Sequence, residues 1–165
     1  MRSGSRVIQL KTNVNGSDVE LSVPSKYTLA ELLRERLNLT GTKLGCNRAE
    51  CGVCTILIDG LPVFSCTMLA AEANGREIET VEGLAQRGGR ELQEAFVRSD
   101  ALQCGFCTPG ILMTLKALLN NNSKPTVDQV KEAIAGNYCR CGAYPNIIEA
   151  AMKAASSTGR SEQVA

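Results

Sequence analysis

The chain contains no histidine in its 165 residues, so the side chain that most often serves as a general base near neutral pH is missing. Also missing is any glycine fingerprint of the kind that seats a flavin or nicotinamide dinucleotide at a strand–helix turn. No substrate site of its own is therefore expected. Aromatic residues make up only 4%, too few for the stacking platforms that bind single-stranded nucleic acid. Lys and Arg number 18 against 17 Asp and Glu, a net charge of +1, so neither a nucleic acid nor an anionic membrane surface meets a strong field here. No apolar run approaches transmembrane length. The opening MRSGSRVIQL carries neither a signal-peptide core nor a twin-arginine pair. A cytoplasmic location is the expectation, and disulfides are disfavoured in that compartment.

What the chain has instead is eight cysteines in two tight groups: Cys46, Cys51, Cys54 and Cys66, then Cys104, Cys107, Cys139 and Cys141. Each group supplies the ligand count of one thiolate-bound iron–sulfur or zinc centre. The first reads C-x4-C-x2-C with a fourth cysteine further on, the spacing of plant-type ferredoxins. Zinc motifs usually show two short pairs, whereas three of these ligands come from one loop. The second group, C-x2-C with a distant C-x-C, does not by its spacing decide between zinc and a cluster. The one-residue gap is read as placing the Cys139 and Cys141 thiolates on the same side of an extended segment. Four disulfides in a secreted protein are the remaining alternative.

Two separated groups favour two small domains, residues 1–80 and 81–155, with a polar tail at 156–165 that is expected to fray. In the first, Leu10 and Thr12 belong to an alternating strand, Asn15-Gly16 signals a hairpin, and Val19, Leu21 and Val23 face inward on the return strand. Thr28 and Glu31 form a capping box ahead of a helix with Leu29, Leu32, Leu33 and Leu37 on its apolar face. Thr55–Ile58 and Val63–Cys66 read as a second hairpin around Asp59-Gly60, which delivers Cys66 beside Cys54. A last strand is expected over Glu77–Val81 and a connecting segment over Glu82–Arg90. From Glu91 the apolar period lengthens to about 3.6 residues. Leu92, Ala95, Phe96 and Leu102 are read as one helical face. Pro109 opens a further helix, Thr126 and Gln129 cap another, and Ile147, Ile148, Ala151 and Met152 line a fourth. The two cysteine pairs of this half then lie at helix starts, whose free N–H groups favour an anionic group. The fold class expected is α+β, a β-grasp ferredoxin-like domain followed by a four-helix bundle. The two domains are expected to pack through an apolar interface despite Gly88-Gly89. Arg140, between two ligands, is a candidate donor that offsets the charge of a bound centre.

Together, GCNRAECGVCTILIDG (45–60), QCGFCTPG (103–110) and GNYCRCGAYPNI (136–147) resemble the small iron–sulfur subunit of the molybdenum hydroxylases, the family of xanthine oxidase, carbon monoxide dehydrogenase and aldehyde oxidoreductase. The resemblance covers roughly residues 6–155. It implies two 2Fe–2S clusters, one held by Cys46, Cys51, Cys54 and Cys66 and facing a flavin subunit. Cys104, Cys107, Cys139 and Cys141 would hold the other, nearest the molybdenum cofactor, with Gln103 contacting the pterin and Cys141 close to its amino group. It further implies a large molybdopterin subunit and a medium FAD subunit in a heterotrimer or a dimer of heterotrimers. Electrons would pass from the molybdopterin site through both clusters to the flavin. Many relatives read C-R-C-T-G-Y, whereas Gly142-Ala143 stand here in place of Thr-Gly; the ligand set is intact and one possible hydroxyl contact is lost. Two rival functions are a free-standing two-cluster carrier, which leaves the helical half without purpose, and a zinc-stabilised interaction module, against which the first loop's spacing argues.

Overall fold

The protein is represented by a computed structural model that describes residues 6–161, with side chains described through Ser157. Val7–Val14 (β1) and Ser17–Pro24 (β2) pair antiparallel around Asn15-Gly16, where both residues take positive φ, 53° and 88°, as a tight hairpin requires. Leu10, Val14 and Val23 point into the core. Thr28 caps the next helix, its Oγ1 accepting from the Glu31 N–H while the Glu31 carboxylate accepts the Thr28 N–H at 2.7 Å. The helix is only Leu29–Glu31 (α1) before it widens into a π-helical turn over Leu32–Arg36. Leu29, Leu32 and Leu33 are fully buried, as their spacing predicts.

Thr55–Ile58 (β3) and Leu61–Phe64 (β4) form the second hairpin, closed by Asp59 and Gly60 in the left-handed region. The return strand begins two residues before the expected Val63 and ends before Cys66, because the two-residue turn fixes the register. Glu77–Glu79 (β5) completes a mixed five-stranded sheet in the order β2-β1-β5-β3-β4, with β5 parallel to β1 and antiparallel to β3. This is the expected α+β, ferredoxin-like layer of helix on sheet.

The helical half contains Arg90–Arg98 (α2), Thr108–Asn121 (α3), Val127–Ala133 (α4) and Tyr144–Ser161 (α5). They enclose one apolar cluster that includes Phe96, Ile111, Met113, Leu115, Val130 and Ile147. One expectation is corrected here. Leu102 is not on the face of α2: the helix stops at Arg98 and Asp100 takes φ 47°, so Ala101 turns inward and Leu102 is left 42% exposed. Helix α5 runs through Ser161, into the segment read as a polar tail; residues 162–165 lie outside the described residues.

All four residues of β3 are buried, and its alternation divides them between two cores. Ile56 and Ile58 join the cluster under α1, whereas Leu57 joins the cluster of the helices. A strand covered on both faces loses its polar alternation, and here it becomes the wall shared by the two halves. The connection between them is tied down as well. Arg87 pairs with Glu77 and Glu79, Asn15 holds Thr80 through two hydrogen bonds, and the Gly41 N–H donates to Glu82 at 2.8 Å.

Candidate metal centres

The loop between Gly45 and Cys54 turns back on itself through Asn47, Ala49 and Gly52, all at positive φ. That curvature aims amides at sulfur rather than at neighbouring carbonyls. The N–H groups of Glu50 and Cys51 donate to Cys46 Sγ at 3.3 and 3.4 Å. The Cys46 N–H donates to Cys51 Sγ, and the Ala49 N–H to Cys66 Sγ, each at 3.4 Å. Oriented amides of this kind favour negative charge on the thiolates and on anything they bind. The amides of Arg48 and Glu50 bring the Cys46 thiol down to about 7. Cys54, buried under the loop, is pushed up to about 12 by desolvation. Cys66, just beyond β4, is buried beside it.

The second group forms where the start of α3 faces the loop before α5. Cys107 occupies the N-cap position of α3 with Pro109 in the first turn, and Cys104 lies three residues earlier at an exposed position. Cys139 and Cys141 do not lie along an extended segment, as their spacing had suggested. The Gly142 N–H returns to the Cys139 carbonyl at 3.3 Å, and Gly142 takes φ 73°. The segment is therefore a turn, with Cys139 buried and Cys141 exposed. Desolvation pushes Cys107 up to about 12. The Phe106 amide, and then the Cys141 thiol, hold Cys104 below its ordinary value. Burial acts upward on Cys139, but the amides of Ala143, Cys141 and Gly142 together with the Cys107 thiol bring it down.

Within each group the thiols are close enough to perturb one another: Cys51 acts on Cys46, and Cys66 and Cys51 act on Cys54; Cys141 and Cys139 act on Cys104, and Cys139 and Cys104 on Cys107. Among the described residues, no three Cys, Asp, Glu or His side chains are arranged to hold a single metal ion. Four thiols in each group, with amides directed at the sulfurs of the first, fit a two-iron, two-sulfide cluster with two thiolates on each iron.

A cleft of about 250 Å³ opens between the groups, lined by Cys46, Cys51, Cys104 and Cys107 with Phe106, Tyr138 and Arg140 among its walls. Arg140 is exposed and donates to the Tyr138 hydroxyl at 2.8 Å. Gln103 is exposed in the turn ahead of Cys104. Sequence reasoning missed Asn137. It is buried, and its Nδ2 donates to the Gly52 carbonyl at 2.9 Å. Its only local signal is a position two residues before Cys139.

Comparisons with known proteins agree with this geometry. Residues 12–85 match a family described as a 2Fe-2S iron-sulfur cluster binding domain, and residues 80–152 a [2Fe-2S] binding domain. The chain is 48% identical over 157 residues to the nicotine 6-hydroxylase small subunit of Paenarthrobacter nicotinovorans, covering 95% of each. It is 43% identical over 148 residues to the xanthine dehydrogenase iron-sulfur-binding subunit of Escherichia coli O157:H7, covering 87% of this chain and 92% of that one. Quinoline 2-oxidoreductase from Pseudomonas putida 86 superposes with a TM-score of 0.88 at 45% identity, over 94% of this chain and 98% of its own. The aldehyde oxidoreductase of Desulfovibrio gigas superposes at 0.87 with 36% identity, over 93% of this chain and 17% of that longer one. With its cysteine groups, its ferredoxin-like sheet and relatives matched end to end, the chain belongs to the small iron–sulfur subunits of the molybdenum hydroxylases.

Proposed function

We propose that this chain is the electron-transfer subunit of a multi-subunit molybdenum hydroxylase, passing electrons from a molybdopterin site on a large subunit to FAD on a medium subunit. The 2Fe–2S clusters supply one-electron storage at two points along that route. Cys46 and Cys51 would ligate one iron of the first cluster and Cys54 and Cys66 the other. Cys104 with Cys141, and Cys107 with Cys139, would do the same in the second. The observation that carries this reading is the gathering of four free cysteines in each group, with the first loop's amides directed at the sulfurs of Cys46, Cys51 and Cys66, because four thiolates meet the ligand demand of two irons.

The exposed positions of Gln103, Cys104 and Cys141 support a role for that edge in meeting the pterin of the large subunit. The ferredoxin-like half, residues 1–80, would face the flavin subunit, and residues 81–155 act as a four-helix, cluster-bearing domain. The assembly is a heterotrimer or a dimer of heterotrimers. Among the described residues no helix is long and apolar enough to cross a membrane, which is compatible with a cytoplasmic complex.

The test is low-temperature EPR of the dithionite-reduced chain, with iron, sulfide and zinc quantified on the same sample. Two distinct 2Fe–2S signals with about four irons per chain are expected. Stoichiometric zinc without a paramagnetic signal would establish a structural module instead.

A further inference from the structure

We propose that Asn137 is a positioning residue whose side-chain amide fixes the separation of the two cysteine groups, and with it the rate of electron transfer between the centres they hold. The inference rests on the electron-transfer reading above. The step concerned is the passage of one electron, with no bond made or broken and no proton moved.

Asn137 is 3% exposed and belongs to neither ligand set. Its Nδ2 donates to the Gly52 carbonyl at 2.9 Å and approaches Thr55 Oγ1 at 3.5 Å. Gly52 stands between Cys51 and Cys54, and Asn137 stands two residues before Cys139. The next residue repeats the connection: the Tyr138 N–H donates to the Cys51 carbonyl at 2.9 Å. One ligand of each group is thus reached from the other through a single hydrogen bond and one peptide unit.

The plainer explanation is that Asn137 satisfies a buried carbonyl. That carbonyl already has two donors from its own loop, the Thr55 N–H at 3.2 Å and the Thr55 hydroxyl at 2.7 Å. A carbonyl oxygen has two lone pairs, so Gly52 does not need Asn137. What the amide adds is a link between the two halves. The backbones around it leave no slack. A Cβ on Gly52 would lie 2.3 Å from the Gly136 carbonyl, and one on Gly110 of α3 would lie 2.4 Å from the Gly52 carbonyl. Close contact prevents the loops from approaching further, and the Asn137 amide adds a side-chain tie to the Tyr138 backbone bond that resists their parting.

The decisive experiment compares wild type with Asn137→Ala and the similarly shaped Asn137→Leu, each as the full chain loaded with clusters and in its complex. When both centres are reduced they are paramagnetic, and their dipolar splitting falls as the cube of their separation. The expected result is unchanged iron content with the splitting lost or reduced in both variants. Transfer between the centres should slow in the same variants. Wild-type splitting and wild-type transfer rate in either iron-replete variant overturns the proposal. If Asn137→Ala fails to fold, Asn137→Leu decides, since it keeps nearly the same shape and removes the donor without adding a charge. Wild-type protein without two cluster signals would instead overturn the electron-transfer reading itself.

Discussion

Tyr144 and Cys139 are joined by a hydrogen bond of 2.8 Å, in which the cysteine N–H donates to the phenolic oxygen. The same hydroxyl donates to the Asn137 carbonyl at 2.9 Å. The first residue of α5 therefore holds the segment that leads into the turn carrying the last two cysteines. A helix start is a rigid base for such a clamp, and an aromatic ring keeps its polar tip at a fixed reach.

Tyr144→Phe keeps the ring and removes both bonds, leaving a buried donor and acceptor without their partner. The expected cost is about 1–3 kcal/mol. In reconstituted protein, iron should be lost from the helical half first. Chemical denaturation and selective decay of one EPR signal on dilution would measure the two effects.

Gly52 takes φ 67° with the Gly136 carbonyl where a Cβ would go. Gly52→Ala incurs about 1–3 kcal/mol of backbone strain, and the overlap forces the two cysteine loops apart. A lower denaturation midpoint with an unchanged m-value is the expected reading.

Leu57 is 1% exposed and anchors the sheet into the helical cluster. Leu57→Ala should destabilise by about 2–5 kcal/mol. Because β3 is common to both cores, wild-type protein should unfold in one transition. Fluorescence from tyrosine and far-ultraviolet dichroism would coincide on denaturation, and separate transitions would show that the halves are independent.

Cys66→Ser removes one ligand from the first group and touches nothing in the second. Iron should fall from about four to about two per chain, with one EPR signal retained. Cys107→Ser should give the reverse pattern, losing the other signal. Loss of both signals in either variant would mean that the two centres assemble as one.

The sequence by itself determined the two cysteine groups and much of the local architecture. The Asn15-Gly16 hairpin, the capping boxes at Thr28 and Thr126, and Pro109 at the start of α3 all appear as read. These features depend on residues within a few positions of one another, so spacing and turn chemistry suffice to specify them. Tertiary structure alone decided how Cys139 and Cys141 share a turn, and why Leu102 is exposed while Ala101 is buried. It also decided that β3 serves two cores and that Asn137 meets Gly52 across 85 positions of chain. Such contacts form where two surfaces pack, and the side chains that meet there leave no periodic mark in either segment. The chemistry of the first group was therefore legible from its cysteine spacing, whereas the contact between the two cysteine loops rests on a hydrogen bond and close-packed glycine positions that only the folded chain brings together.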